Sequence, residues 1–199
     1  MEQSLRIAVA DDEPDMLLFF RELLPRLGHQ LVAEAATGKE LVERCREARP
    51  DMIITDVKMP DMDGLEASEA VNRDASVPVI LITAHHDADV LARAGAGHIM
   101  SYLAKPVKPA DLQAAIRLAL VRFEHFRALT RETVDLKKAL EDRKVIERAK
   151  GAVMRRVGVD EDEAFRRLRR VASNRNFKLA EVAQQVTAAE EVFRQFDKG

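Results

Sequence analysis

Residues 51–64 read DMIITDVKMPDMDG, and this stretch decides the fold. Its first five residues form a short apolar run typical of a buried strand, and the run ends at a carboxylate, Asp56. A loop with Pro60 and Gly64 follows, and the next residues, 64–73, have a helical pattern. The stretch therefore predicts a strand, an acidic turn and a helix in succession.

The same alternation continues on both sides, over residues 5–120. Four more apolar runs predict strands: LRIAVA (5–10), HQLVAEAA (29–36), VPVILIT (77–83) and HIMSYL (98–103). Helical patterns separate them: PDMLLFFRELLPRL (14–27), KELVERCREA (39–48) and DADVLARAGA (87–96). Five strands joined by crossover helices predict an α/β fold with an open, parallel, doubly wound sheet, in which ligands bind beyond the carboxyl ends of the strands.

Polar residues suited to phosphoryl transfer follow four of the predicted strands: Asp11 and Asp12, then Asp56, Thr83 and Lys105. A carboxylate can attack phosphorus, two more carboxylates can hold Mg²⁺, and a lysine can neutralise developing charge. Each residue alone has an ordinary alternative as a helix cap, a turn residue, a strand-end hydroxyl or a surface amine. Their coincidence at successive strand ends favours a phosphoacceptor site, with Asp56 as the nucleophile.

Residues 1–122 resemble the receiver domain of bacterial two-component response regulators. The matching motifs are VADDEP, IITDVKMPDMDG, ILITA and YLAKPV. The resemblance implies a flavodoxin-like fold in which Asp56 accepts the phosphoryl group from a sensor histidine kinase. It also implies a Mg²⁺ site made by Asp11, Asp12, Asp56 and the backbone carbonyl of Lys58.

The same resemblance assigns a switch around this site. Lys105 would contact the phosphate, Thr83 would move toward it, and Tyr102 would swing inward behind Thr83. Lys105 and Pro106 are expected to be joined by a cis peptide bond. The pair His85–His86 is unusual next to Thr83, and we expect a surface role, with tuning of phosphate lifetime or metal ligation as alternatives.

A long helix is predicted after Pro109, because residues 111–156 contain no proline and a single glycine, Gly151. Mainly apolar residues recur there at alternating spacings of four and three, a seam that is imperfect at Thr130, Thr133 and Lys137 and that predicts a two-stranded coiled coil over 110–140. The alternative is a single helix packed along its own receiver. A coiled coil would make the protein a homodimer on phosphorylation. The seam comprises Leu112, Ile116, Ala119, Phe123, Phe126, Thr130, Thr133, Lys137 and Leu140.

The C-terminal region is predicted to be a small three-helix bundle with a basic surface. Gly158 and the acidic run 160–163 indicate a break and a new helix start, and residues 173–176 are predicted to form the next turn. Residues 143–178 hold twelve basic and five acidic residues, a net +7 in a chain of formal charge −2. This asymmetry favours a polyanionic partner.

Residues 137–199 resemble the ANTAR domain, the RNA-binding module of AmiR- and NasR-type antiterminators. The matching residues are Ala149–Lys150–Gly151, Met154, Gly158, 163–165, 168–169, Ala172, and the L-x-x-V-A pattern at 179–183. The resemblance implies binding of RNA hairpins and prevention of transcription termination. The candidate RNA-binding residues are Arg143, Lys144, Arg148, Ala149, Lys150, Gly151, Arg155, Arg166, Arg169 and Arg170.

Alternatives remain for this region. Ala149 and Gly151 suit close helix packing as well as close approach of a nucleic-acid backbone, and the arginines suit a solvated face. Two other outputs are considered: a transcription factor that binds duplex DNA, or a protein-interaction and dimerisation module whose arginines only keep it soluble. Clustered guanidinium groups nevertheless fit phosphate contacts and stacking on loop bases.

Composition limits the remaining possibilities. One cysteine, Cys45, excludes an internal disulfide, and no apolar run approaches the roughly 20 residues of a membrane helix. The first residues lack the features of a signal peptide, so a cytoplasmic location without a membrane partner is expected. No catalytic triad, metal cluster or glycine-rich phosphate loop occurs outside the receiver, which favours a regulatory protein over an enzyme.

Overall fold

The computed structural model describes residues 4–84 and 98–196, which form two compact units divided between Ala128 and Leu129. The predicted helix at 87–96 and the pair His85–His86 lie outside the described residues. Within the described ranges, no helix is both long enough and apolar enough to cross a membrane.

The first unit contains one five-stranded sheet in which every paired strand is parallel. The strands run in the spatial order β2-β1-β3-β4-β5, which confirms the predicted doubly wound architecture. The chain moves outward from β1 to β2 and then returns to β3, so the switch in strand order lies between β1 and β3. The strands are β1 (Arg6–Ala10), β2 (Gln30–Ala35), β3 (Met52–Asp56), β4 (Val79–Thr83) and β5 (Ile99–Ala104).

Helices cover both faces of this sheet: α1 (Pro14–Arg26), α2 (Gly38–Ala48) and α3 (Gly64–Asp74) are the first three described. Because strand side chains alternate between faces, Ile7 and Ile54 enter one hydrophobic core and Ala8 and Ile53 the other. The first core is covered by α1 and the second by α2 and α3. Cys45 is part of the second core, where burial raises its thiol pKa to about 12.

A single helix, α4, extends from Pro109 to Val157. Its first turns pack on the sheet of the first unit, where Leu112, Ile116, Ala119 and Phe123 are buried in the core shared with α1. These four residues are therefore not part of an exposed coiled-coil seam as predicted, because the core of the first unit covers their side chains. Beyond Phe126 the coiled coil stays a prediction.

The second unit consists of the end of α4 with α5 (Glu161–Arg175) and α6 (Leu179–Phe196). The break after α4 occurs at Gly158, whose φ is +71°, and Asp160 caps α5 by accepting a hydrogen bond from Glu163 N at 2.8 Å. The prediction of a turn at 173–176 is wrong for residues 173–175, which belong to α5. They remain helical, because Asn176 takes up the left-handed conformation that ends α5.

Five buried residues form the core of the second unit: Ala149, Leu168, Ala172, Val182 and Ala183. Three of them are alanines, so the helices approach closely and little apolar volume is enclosed. Leu168 and Val182 are the two large side chains among them. Packing of this unit therefore depends strongly on those two residues.

Candidate functional site

The predicted phosphoacceptor pocket forms where β1, β3 and β5 end. Asp56 is the last residue of β3 and is nearly buried, and Asp11 follows β1 and is fully buried. Lys105 follows β5 and reaches across the switch point, placing Nζ 2.6 Å from Asp56 Oδ2 and 3.1 Å from Asp11 Oδ2. The topology of a parallel sheet thus brings together residues that are 94 positions apart in the sequence.

Three carboxylates in this pocket have the geometry of a cation site. Oxygen atoms of Asp11, Asp12 and Asp56 all lie within 4.8 Å of one another. The Oδ2 atom of Asp11 is buried and lies 3.1 Å from Lys105 Nζ, a contact without hydrogen-bond geometry, and burial raises the pKa of this carboxyl. A buried carboxylate oxygen that accepts no well-aligned hydrogen bond from the described residues is suited to a metal ligand, and a set of carboxylate oxygens is what Mg²⁺ prefers.

Lys105 also contacts Glu13, an acid that sequence analysis did not single out. Its Nζ lies 2.7 Å from Glu13 Oε1, so three carboxylates surround one ammonium group. Burial alone would lower the pKa of Lys105, but hydrogen bonds to Asp56, Glu13 and Asp11 outweigh burial and raise it. The position of Glu13, directly after Asp12 and before α1, is the signal that could have identified it. The peptide bond between Lys105 and Pro106 is cis, as predicted.

The loop after β3 holds Asp56, the predicted phosphoacceptor, in place. Lys58 N donates a hydrogen bond to Asp56 Oδ1 at 3.2 Å, and Asp63 caps α3 through a reciprocal capping box with Glu66. A Cβ atom on Gly64 would lie only 1.9 Å from the carbonyl oxygen of Asp56. Glycine is thus required for α3 to begin against the end of β3. Coordination of a metal by the Lys58 carbonyl stays a prediction.

The two predicted switch residues lie on neighbouring strands. Thr83 ends β4, and its hydroxyl donates to the carbonyl of Ala84 at 3.0 Å. Tyr102 on β5 is half-buried against the core under α2 and α3, and burial raises the pKa of its phenol. Leu81, two residues before Thr83, is the register partner of Tyr102. Both residues lie on the β4–β5 side of the sheet, and their switching role stays a prediction.

The ten RNA-binding candidates separate into groups in the second unit. Ala149 is fully buried in the small core, and Lys150 is buried between Glu147 and Glu161, at 2.8 and 2.5 Å. Ala149 therefore packs between helices, which is the alternative to contact with RNA given for it above. The ammonium of Lys150 is already neutralised by two carboxylates.

Three candidates, Arg148, Gly151 and Arg155, line a groove of about 370 Å³ between α4 and α6. The other charged residues of this groove are Arg194 and three acids, so its formal charges cancel. A methyl group on Gly151 would meet only the end of the Arg155 side chain, at 3.3 Å. The groove is therefore open but electrically balanced. The three acids are Glu147, Glu190 and Glu191.

The remaining candidates are exposed. Lys144 pairs with Glu141 at 2.8 Å, and Arg166 pairs with Glu163 at 3.0 Å. The structure of 4–84 and 98–196 gives no ion pair to three others: Arg143, Arg169 and Arg170. Among the RNA-binding candidates that are exposed, these three thus carry positive charge without a carboxylate partner in the described ranges.

A doubly wound parallel sheet with an acidic pocket and a lysine at its switch point defines a phosphoacceptor receiver. Residues 7–117 match the family model described as the response regulator receiver domain, and residues 134–186 match that of the ANTAR domain. The chain belongs to the response regulator family, with a receiver followed by an ANTAR domain. It is a regulatory protein of a two-component system.

Comparison with known proteins supports the same assignment. The transcriptional regulatory protein PdtaR of Mycobacterium tuberculosis is 37% identical over 181 residues, which cover 91% of this chain and 88% of PdtaR. A receiver domain from Clostridium thermocellum superposes with a TM-score of 0.54 at 31% identity, covering 60% of this chain and 96% of that one. The response regulator PhyR of Brucella abortus superposes with a TM-score of 0.56 at 25% identity, and the match covers 66% of this chain and 54% of PhyR.

Proposed function

We propose that phosphorylation of Asp56 controls binding of RNA hairpins by the ANTAR unit, and that the bound RNA prevents transcription termination. The proposal rests on one observation above all. An acidic pocket with the geometry of a phosphoacceptor site and an ANTAR domain with exposed, unpaired arginines occur in the same chain. The phosphodonor would be a sensor histidine kinase.

The phosphoryl transfer follows from the pocket. A carboxylate oxygen of Asp56 forms the bond to phosphorus while the bond from phosphorus to the kinase imidazole nitrogen breaks. Mg²⁺ held by Asp11, Asp12 and Asp56 would neutralise charge on the phosphoryl oxygens. Lys105, already 2.6 Å from Asp56 Oδ2, would transfer its hydrogen bond to a phosphoryl oxygen.

The RNA surface is best placed on Arg143, Arg169 and Arg170. These guanidinium groups are exposed and lack a carboxylate partner within the described ranges, so a phosphate can bind without first displacing an acid. The ANTAR unit contains no tyrosine or tryptophan. Recognition through arginine, polar groups and RNA shape suits a hairpin better than a flat single strand.

Dimerisation is proposed for the middle of α4, with a corrected seam. Leu129, Leu136 and Leu140 leave 58–64% of their surface exposed, and with Thr133 they follow spacings of four, three and four residues. Thr130 and Lys137 of the predicted seam lie one position away from two of these leucines. A second copy of the same helix is the occupant that this spacing fits. Phosphorylation would favour pairing of the two copies.

Fluorescence anisotropy of a two-hairpin RNA, with and without Mg²⁺ and beryllofluoride, tests the proposed control. Beryllofluoride mimics the aspartyl phosphate, so binding should tighten for the wild type and stay unchanged for Asp56→Asn. An Asp56→Asn variant that responds like the wild type contradicts control through Asp56. Preference for duplex DNA over the hairpin, or binding of neither, would assign the output to DNA or to a protein partner instead.

A matched pair of arginine variants tests the RNA surface. Arg169→Ala should weaken binding and reduce the slope of log Kd against log salt by about 0.7 to 0.9, the value expected for one phosphate contact. Arg167→Ala removes an equal charge from the same helix, but Arg167 is already paired with Glu163 at 2.8 Å. Equal effects of the two changes would show that only overall charge matters.

A second pair tests the seam. Leu136→Glu should keep the beryllofluoride-treated protein monomeric in light scattering, because it places like charges opposite each other in a coiled coil. Val134→Glu adds the same charge at a valine that is 57% exposed but outside the spacing of the seam. A dimer that survives Leu136→Glu would refute pairing through these leucines.

A further inference from the structure

Glu190 is surrounded by arginines in the second unit. Its carboxylate lies 3.0 Å from Arg156 Nε, and 3.6 Å from a guanidinium nitrogen of both Arg155 and Arg194. Only 13% of the Glu190 side chain is exposed. The hydrogen bond from Arg156 is the main reason that the pKa of Glu190 lies below its ordinary value. Three guanidinium groups thus converge on one enclosed anion.

An aromatic ring completes this cluster. The guanidinium of Arg156 lies 4.3 Å from the centroid of the Phe193 ring, a distance at which cation–π attraction is effective. Stacking of this kind holds the plane of the guanidinium while leaving its edge available for hydrogen bonds. Phe193, Glu190 and Arg194 all lie in 187–196, the part of α6 beyond the end of the ANTAR match at residue 186.

We propose that Arg155, Arg156 and Arg194 form a phosphate subsite for RNA that Glu190 occupies and blocks. The inference rests on the proposed RNA binding and adds to the RNA surface a second group of arginines, which Glu190 keeps from binding phosphate. Carboxylate and phosphate oxygens bind the same edge of a guanidinium group, so the acid holds the arginines in an arrangement that a phosphodiester can also use. Taken by themselves, these three arginines and Glu190 carry a formal charge of +2, and Glu147 and Glu191 lie in the same balanced groove as Arg155 and Arg194.

The exposure of the arginines supports a blocked site over a purely structural cluster. The side chains of Arg155 and Arg156 remain 56% and 45% exposed, while the carboxylate between them is enclosed. RNA can therefore reach both guanidinium groups from outside but must displace Glu190 to bind them fully. Because the acid competes with phosphate, its removal should strengthen RNA binding.

Glu190→Gln tests this competition, since glutamine keeps the shape of the side chain and removes its charge. We expect the full-length protein to bind the two-hairpin RNA about three- to tenfold more tightly at low salt, with a salt slope steeper by about 1.4 to 1.8 for two added phosphate contacts. Glu191→Gln removes a neighbouring charge and should produce a much smaller gain. In an Arg155→Ala/Arg156→Ala background, Glu190→Gln should produce no gain.

Arginine reactivity provides a measurement that needs no RNA. Modification of Arg155 and Arg156 by phenylglyoxal, followed by mass spectrometry, should be faster in Glu190→Gln than in Glu191→Gln. Circular dichroism should show that each variant keeps its helices.

The outcomes separate this inference from the proposed function. If the wild type binds RNA but Glu190→Gln binds no more tightly than Glu191→Gln, the blocked subsite is refuted and RNA binding stands. Weaker binding by Glu190→Gln would also refute the inference, because Glu190 would then be orienting the arginines for RNA. If the wild type binds no RNA under any condition, both proposals are overturned.

Discussion

Gly64→Ala should disable the phosphoacceptor loop, because α3 begins in direct contact with the end of β3. The added Cβ would lie 1.9 Å from the Asp56 carbonyl oxygen and 2.8 Å from Thr55 Oγ1. Ordinary contacts of this kind are 3.4 Å or longer, so the two backbones must separate by more than 1 Å. Overpacking that cannot relax through a flexible side chain should lower the free energy of unfolding by about 3 kcal/mol.

The same displacement should reduce phosphorylation. Asp56 is held by Lys105 Nζ at 2.6 Å and by Lys58 N at 3.2 Å, and a shift of more than 1 Å breaks hydrogen bonds of this length. Gly64→Ala should therefore be phosphorylated slowly even at temperatures where it remains folded. Phosphate incorporation from a small phosphodonor, followed by gel mobility or mass, measures this directly.

Gly151→Ala is the matched control, with the opposite expected sign. Its Cβ would meet only the flexible end of Arg155, at 3.3 Å, and alanine is favoured over glycine within a helix by about 1 kcal/mol. Urea unfolding followed by Tyr102 fluorescence reports on the first unit alone, because the chain has one tyrosine and no tryptophan. Circular dichroism adds the second unit. A Gly64→Ala protein with wild-type stability and phosphorylation would refute the packing argument.

Three further predictions concern stability and reactivity. Leu168→Ala should destabilise the second unit by about 3 kcal/mol without changing the unfolding of the first unit that Tyr102 fluorescence reports. Val171→Ala, at an exposed position on the same helix, should change stability by less than about 0.5 kcal/mol. Cys45 should react with a thiol reagent only after unfolding, because burial raises its pKa to about 12. Glu34, whose pKa the Arg21 hydrogen bond lowers, should stabilise the fold above pH 4.5 and lose this effect as the pH falls through its folded value.

Each of these predictions has a contradicting outcome. A Leu168→Ala protein that unfolds at the wild-type denaturant concentration would remove Leu168 from the core of the second unit. Labelling of Cys45 in the native state at neutral pH would contradict its burial. Between pH 6 and pH 3, the urea midpoint of Glu34→Gln should fall less than that of the wild type. Equal decreases in the two midpoints would refute a contribution of the Arg21–Glu34 pair to stability.

The receiver could be predicted from sequence because its determinants are local and periodic. Each strand is an apolar run, each turn has its acid, proline or glycine, and the order of the runs specifies a parallel sheet. Once the sheet is parallel, residues at the ends of its strands must meet, so Asp11, Asp56 and Lys105 could be assigned to one pocket without coordinates. The cis bond before Pro106 followed from the resemblance alone.

The long helix and the ANTAR unit show the limit of such reasoning. A spacing of four and three residues specifies one face of a helix but not what covers it. Leu112 and Phe123 fit a coiled-coil seam, yet they pack against the sheet of their own receiver. Only their burial in the folded structure distinguishes the two arrangements. The exposure of Leu129 and Leu136 in turn places the proposed coiled-coil seam on these residues.

Charge follows the same division between sequence and structure. The sequence alone determined that basic residues concentrate between 143 and 178, and that three carboxylates and a lysine meet at the strand ends. Only the tertiary structure decided which cations remain available to bind an anionic partner, because folding brings some of them within 4 Å of carboxylates that are distant in the sequence. Lys150 is held by Glu161, and Arg156 by Glu190, 34 residues away, while Arg169 stays exposed. Local pattern determines a residue's charge and helical face, but packing determines what that charge contacts.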